Sequence, residues 1–401
     1  TVLCELRTPS FRALHAPLPP PPPTTHTHTQ STIQALPFAP PPSRASRPPG
    51  TASMAAAEVR TQAQPVDPVA GIAPLAVLEC HTTGTQYEAE RRLGAGAFGT
   101  VWLCREHREG EWRAVKVLST TRAQDVAREV EQLQRASEAE RTFVPKFYES
   151  GEASVLGVPN SEHLLIAMEY INGVNASELA AKGPLYFRCA STILGDVASA
   201  LGRLHENGIV HRDVKGDNVL VSSWGHSYLC DFGISGLEEE LRRNGGMCVV
   251  GTPDFMAPEL FGPVPQFTTK VDVWAFGIFA IELGTGQTPA RDPNLRLNNP
   301  ERIMTYIALH HPPSAPDVDG YPATYAAAAN SCLMRDPDER PSMVELAQTN
   351  RFVREQGEPG YWLVRECLRE RGLHAEDVGR ITTNRGPRVP WNPFDRIPND
   401  F

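Results

Sequence analysis

Eight residues, HRDVKGDN (211–218), constrain this chain more than any other stretch. Charged side chains taken out of water without partners cost several kcal/mol or more. So dense a run of them does not suit a helix or strand of an ordinary core. Gly216 and Asp217 favour a loop, and a loop lets Asp213, Lys215 and Asn218 converge on one point. Asp213 can accept or orient a hydroxyl proton. Lys215 can neutralise charge on a moving phosphoryl group, and Asn218 offers an amide oxygen to a hard cation such as Mg²⁺. Thirteen residues beyond Asn218 lies Asp231 of DFG (231–233). Between them, VLV (219–221) and SYLC (227–230) read as the arms of a short hairpin. That hairpin brings Asp231 back beside Asn218 as a second metal ligand.

Phosphoryl transfer needs positioning and positive charge more than covalent chemistry, and the residues before this loop can supply both. GAGAFGTV (94–101) sets three glycines, Gly94, Gly96 and Gly99, between two strand-like segments. Without Cβ atoms the backbone can approach a polyphosphate and turn its N–H groups toward it. A plain hairpin or a dinucleotide fold would use the same glycines. However, Thr100–Leu103 reads as a strand, where the dinucleotide fold needs a helix. Lys116 lies among Ala114, Val115 and Val117 on the next strand. It either keeps its head in water at a strand edge or contacts the α- and β-phosphates. Glu129, in the helical stretch 127–136, can pair with Lys116. Glu131 is its rival, but choosing Glu129 turns Val130 and Leu133 toward the core.

The chain has 401 residues, 41% apolar and 21% charged, with a formal net charge of −9. No basic stripe stands out, which argues against nucleic acid. The longest apolar run, VWAFGIFAIEL (273–283), is too short for a membrane span and reads as a buried helix. Eight cysteines without regular spacing point to free thiols in a reducing compartment, hence the cytoplasm. Residues 1–75 read as a disordered tail. Its first 53 residues hold 13 of the 37 prolines and a single acid, Glu5. PLPPPPP (17–23) makes SH3 or WW domains candidate partners. The first methionine, Met54, reads as a translation start, so residues 1–53 are either a leader or a piece outside the native protein. From 87 to about 119 strands dominate, and from 186 to 353 helices do. Residues 354–401 read as a tail with one short helix (361–372).

The glycine loop, AVK, HRDVKGDN, DFG and APE (257–259), in this order, resemble the eukaryotic protein kinases. The resemblance covers residues 87–353. It implies an α+β, bilobal fold with a small β-rich lobe and a larger helical one. It also implies ATP and Mg²⁺ as cofactors, and protein serine and threonine hydroxyls as substrates. Carried onto this sequence, ATP would lie against Leu93, Gly94, Gly96, Gly99, Val101, Ala114, Lys116, Met168, Glu169 and Tyr170. Met168 stands in the gatekeeper position, with the hinge after it. Mg²⁺ would be held by Asn218 and Asp231. Catalysis would rest on Asp213, Lys215, Lys116, Glu129 and Thr252.

Lys215, two residues after Asp213, resembles the serine/threonine type. The motifs look like the sterile branch, near the germinal-centre and p21-activated groups that feed MAP-kinase cascades. Glu259 and Arg340 resemble an ion pair that ties the activation segment to the lower lobe. Asp272 resembles an aspartate that braces the catalytic loop. Cys248 stands where relatives often carry a phosphorylated threonine, and Glu238–Glu240 are candidates to pair with Arg212. Cys230, just before Asp231, is expected to line the nucleotide site. The spacing from Lys116 to Glu129 is short, and EAERTFVPKFYES (138–150) replaces a more usual loop. The alternative reading is a pseudokinase or adaptor scaffold that binds partners without turnover.

Overall fold

The computed structural model describes residues 72–373 apart from 97–98, 244–249, 263, 296, 298 and 355–357. Residues 1–71, with the proline-rich tail, and 374–401 lie outside the described residues, as does Cys248.

The first half builds an antiparallel sheet. Its strands are β1 (Val77–Cys80), β2 (Gln86–Gly96), β3 (Gly99–Glu106), β4 (Trp112–Ser119), β5 (Phe147–Val155) and β6 (Glu162–Glu169). They run in the order β1-β2-β3-β4-β6-β5, and β1 also pairs with β5. Leu78, Tyr87, Trp102, Val115, Val117 and Leu165 fill one face. β2 and β3 form the glycine hairpin, with Gly94 opposite Val101 and Gly96 opposite Gly99. Gly99 has a steric reason to be glycine: a Cβ there would collide with the Val117 carbonyl of β4. Between β4 and β5 runs α1 (Ala123–Ala139). Val126, Glu129, Leu133 and Ala136 recur at helical spacing and form its buried face.

The second half is mostly helical. After β7 (Gly173–Asn175) comes α2 (Ala176–Ala180), capped by the Asn175 side chain, which accepts the Glu178 N–H at 2.7 Å. Then comes α3 (Phe187–Glu206), buried over most of its length. It ends before Gly208, whose φ of +71° the left-handed turn requires. The short strands β8 (Ile209–Val210), β9 (Val219–Ser222), β10 (Ser227–Leu229) and β11 (Gly236–Leu237) frame the central loops. β9 and β10 are the expected hairpin, with β7 on its other edge. α4 (Glu238–Arg243) precedes α5 (Lys270–Thr285), which carries the 273–283 run and is buried on all sides from Val271 to Gly284. α6 (Pro300–Leu309), α7 (Ala323–Cys332), α8 (Met343–Thr349), α9 (Arg351–Arg354) and α10 (Glu358–Glu370) complete the chain. No helix among the described residues is long and apolar enough to cross a membrane.

One apolar cluster joins the halves. Leu118, Val126, Leu133 and Ile166 of the sheet side share it with Phe232, Leu201 and Phe276 of the helical side. The folded unit also reaches past the expected 87–353 at both ends. β1 is stitched to β2 and β5, and α10 packs against α3. There the Tyr361 hydroxyl donates to the wholly buried Asp196 at 3.0 Å. α10 is the short helix expected at 361–372, but its docking, like the place of β1, depends on a surface contributed from elsewhere in the chain.

Candidate active site

The Asp213 carboxylate sits at the centre of the loop. Its Oδ1 accepts the Thr252 backbone N–H at 3.1 Å and the Thr252 hydroxyl at 2.8 Å. Its Oδ2 accepts from Asn218 Nδ2 at 2.9 Å and lies 2.8 Å from Lys215 Nζ. Lys215 also donates to Thr252 Oγ1 at 2.6 Å. Burial alone would raise the Asp213 pKa. The Lys215 charge, the hydrogen bonds from Lys215 and Thr252, and His211 outweigh it and hold the carboxyl below the usual aspartate range. The group is thus ionised, fixed at both oxygens and weakly basic.

The loop is held from below. Asp272 of α5, fully buried, accepts the backbone N–H groups of His211 and Arg212, each at 2.8 Å, and lies 3.0 Å from His205 Nε2. Arg212 adopts a left-handed φ of +70°, a strain that these bonds hold in place. The His211 ring bridges the Cys230 carbonyl, 3.0 Å away, and the Asp213 N–H, 3.3 Å away, and meets Phe232 edge-on. Gly216 passes so close to Ser177 and Glu282 that a Cβ would crowd both. The roles of His211, Ser177 and Glu282 were not visible in the sequence. Cys230 lies 19 residues from His211 and Glu282 lies 105 from Ser177, and only the opening position of His211 in its motif offers a signal.

Opposite this loop, Lys116 and Glu129 form an ion pair with little exposure on either side chain. Lys116 Nζ is 3.9 Å from Asp231 Oδ1. Burial would pull the Lys116 pKa down, but the charges of Glu129 and Asp231 push it above its usual value. The ammonium therefore stays charged. Glu131, the rival, is exposed and pairs with Arg135. The short spacing is absorbed by a single turn, Thr120–Arg122, before α1 begins.

The hairpin leaves Asn218 and Asp231 at the open side of Asp213. Asn218 turns its N–H₂ to the Asp213 carbonyl (2.8 Å) and carboxylate, so its Oδ1 is the atom left to face a ligand. Asp231 is half exposed and holds a left-handed φ of +63°. Among the remaining expected contacts, Val101 and Met168 pack with Ala114, Leu103 and Tyr170 into a small apolar cluster. Leu93 is exposed. The Glu169 carboxylate is committed to the Lys146 N–H at 3.1 Å, and the Tyr170 hydroxyl to Asn172 at 3.2 Å. Any part these two residues play toward a nucleotide therefore falls to their backbone.

The family described as "Protein kinase domain" matches residues 87–352. The chain belongs to this family. Among its curated relatives is Serine/threonine-protein kinase dst2 of Dictyostelium discoideum, 29% identical over 275 residues, which are 65% of this chain and 22% of that protein. Serine/threonine-protein kinase cst-1 of Caenorhabditis elegans is 29% identical over 262 residues, 64% of this chain and 49% of that protein. Serine/threonine-protein kinase KIC1 of Saccharomyces cerevisiae is 31% identical over 268 residues, 65% and 23% respectively. The chain thus spans half or less of the length of these relatives.

Within the kinase domain the expected tie is in place. Arg340, 1% exposed, holds Glu259 by two bonds of 2.7 and 2.8 Å, and donates to the carbonyls of Met334, Lys270 and Arg335. Glu238–Glu240 open α4, where Glu238 pairs with Arg242 and Glu239 with Arg243. Arg212 donates to the Ile234 carbonyl at 3.0 Å and lies over the Phe267 ring. The Cys230 thiol donates to the Tyr228 carbonyl at 3.5 Å, and burial together with Asp231 pushes its pKa well up. As a neutral thiol it is a poor nucleophile near pH 7, so a thiol-reactive ligand at the nucleotide site should label it slowly.

Proposed function

We propose that this chain is a serine/threonine protein kinase that moves the γ-phosphoryl group of ATP, with Mg²⁺, to protein serine and threonine hydroxyls. The observation that carries this reading is the fourfold-held Asp213 carboxylate, with Thr252 on one oxygen and Lys215 and Asn218 on the other. Lys215 and the likeness to serine/threonine-protein kinases support serine and threonine as acceptors. By the same likeness we place the kinase in a signalling cascade of the MAP-kinase kind, in the cytoplasm. PLPPPPP (17–23) would serve as a ligand for SH3 or WW domains.

The residues suit the nucleotide and the metal. Asn218 Oδ1 and the half-exposed Asp231 carboxylate are hard oxygen donors. The apolar cluster of Val101, Ala114 and Met168 suits a flat base, and Lys116 suits a phosphate. Bound Mg²⁺ supplies charge that offsets the phosphates. Asp213, with its lowered pKa, is a weak base. It orients the substrate hydroxyl and accepts its proton late, which suits a loose transition state in which bond breaking runs ahead. Lys215 places its charge where the transferring group becomes anionic. Thr252 keeps Asp213 and Lys215 in register.

The experiment is incubation with Mg²⁺, γ-labelled ATP and a generic basic protein, followed by phosphoamino-acid analysis. Label on serine and threonine supports the reading. Nucleotide binding without any transfer would favour the scaffold instead.

A further inference from the structure

Two buried cysteines outside the catalytic cleft lie at the joint between α3 and α10. Cys189 is 1% exposed and Cys367 is 2% exposed. The Cys189 Sγ lies 3.5 Å from the carbonyl oxygen of Leu363, one helical turn before Cys367 in α10. A helical side chain leans over the turn on its N-terminal side, so Cys367 lies toward the turn of α10 that the Cys189 thiol touches at Leu363. Cys189 lies inside the stretch matched by the kinase family, and Cys367 lies fifteen residues beyond its end. We propose that Cys189 and Cys367 are a peroxide-sensitive dithiol whose disulfide fastens α10 to α3.

The surroundings equip Cys367 to react first. The neighbouring Cys189 side chain and the Arg371 guanidinium draw its thiol down to about 7 against the opposing effect of burial. Arg371 is itself anchored, donating to the carbonyls of Leu179 (2.7 Å), Gly183 (2.8 Å) and Pro184 (2.8 Å). A thiolate next to a fixed guanidinium is the pattern of a reactive cysteine. Arg369, Glu370 and Gly372 are exposed, so fraying of the last turn of α10 would open a path for an oxidant the size of water.

The chemistry closes without another cofactor. The Cys367 thiolate attacks one oxygen of hydrogen peroxide. The O–O bond breaks, and hydroxide leaves and takes up a proton as water. The sulfenic acid at Cys367 is then attacked by the Cys189 sulfur, which gives up its proton. The S–O bond breaks, an S–S bond forms, and the second hydroxide leaves with that proton as water. Two thiols lose two electrons in all, and one peroxide becomes two waters.

The full chain is treated, folded and reduced, with hydrogen peroxide. It is then quenched with iodoacetamide, digested without reductant and mapped by mass spectrometry. The expected product is a peptide pair joined through Cys189 and Cys367 that dithiothreitol separates. The urea midpoint for unfolding should rise on oxidation and fall back on reduction. In Cys189→Ser, dimedone should trap the sulfenic acid at Cys367; should that variant not fold, Cys189→Ala takes its place. The proposal is overturned if both cysteines are still alkylated after unfolding of the peroxide-treated protein. A disulfide joining either of them to another cysteine overturns it equally.

Discussion

Thr252 donates both its backbone N–H, at 3.1 Å, and its hydroxyl, at 2.8 Å, to one oxygen of Asp213. A residue 39 positions away in sequence therefore sets the orientation of the carboxylate. The hydroxyl that holds Asp213 also receives Lys215, so one side chain aligns the proton acceptor and the phosphate-facing cation.

That geometry bears on how the enzyme is switched on. Ser235 and Thr252 are the only hydroxyl side chains between Asp231 and Glu259. Ser235 is buried and donates to the Phe232 carbonyl at 2.8 Å. Thr252 is committed to Asp213. A phosphate on either would break a bond that organises the site. The protein made in bacteria with a phosphatase, and shown by mass spectrometry to be unmodified there, should be active. Thr252→Glu should be inactive, because it sets a second carboxylate against Asp213. An unmodified enzyme that stays silent until Ser235 is phosphorylated would contradict this.

Asp213→Asn should separate chemistry from binding. The amide keeps the shape but cannot take the proton, so kcat should fall by about 10² to 10⁴-fold. ATP affinity, read by fluorescence titration or calorimetry, should stay within about twofold, since Asp213 faces Thr252, Lys215 and Asn218. Parallel loss of both quantities would refute the assignment.

Lys116→Met should lower kcat/KM by about 10² to 10³-fold, the usual effect of deleting one electrostatic donor, and should weaken ATP binding as well. It also leaves Glu129 as a buried, unpaired charge, so thermal stability should drop by about 3 kcal/mol. Adding Glu129→Leu should restore stability without restoring activity. Recovery of both in the double variant would argue against a phosphate contact by Lys116.

Asp196 supplies a pH test. It is buried, and burial outweighs the hydrogen bonds from the Ser227 N–H and the Tyr361 hydroxyl, so its carboxyl titrates well above the usual range. A folded pKa above the unfolded one gives stability that is whole below the unfolded pKa of about 3.9. That stability is lost as pH rises toward the folded value. Asn has no proton to lose. The melting temperature of Asp196→Asn should therefore gain on the wild type as pH is raised from about 4 to about 8. A difference that does not change with pH would show that Asp196 does not titrate in this way.

That Asp213, Lys215, Asn218 and Asp231 come together was legible in the sequence because their grouping depends on local spacing. A loop of eight residues and a hairpin of thirteen leave the chain few ways to arrange them. The same holds for the buried helix at 273–283, whose apolar run is its own signal. The pairing of Lys116 with Glu129 rather than Glu131 was partly legible, through the apolar positions beside it, and was decided by which face of α1 the core covers.

What only the tertiary structure decided concerns contacts made over long separations. Asp272 reaches His211 and Arg212 across 61 and 60 residues, and Ser177 reaches Glu282 across 105. The place of β1 depends on the free edges of β2 and β5, and that of α10 on the buried Asp196. Composition and periodicity report what a segment can do with its own neighbours. They carry no record of which distant surface will exclude water from it, and burial against that surface set the places of β1 and α10 and the setting of Cys189 and Cys367.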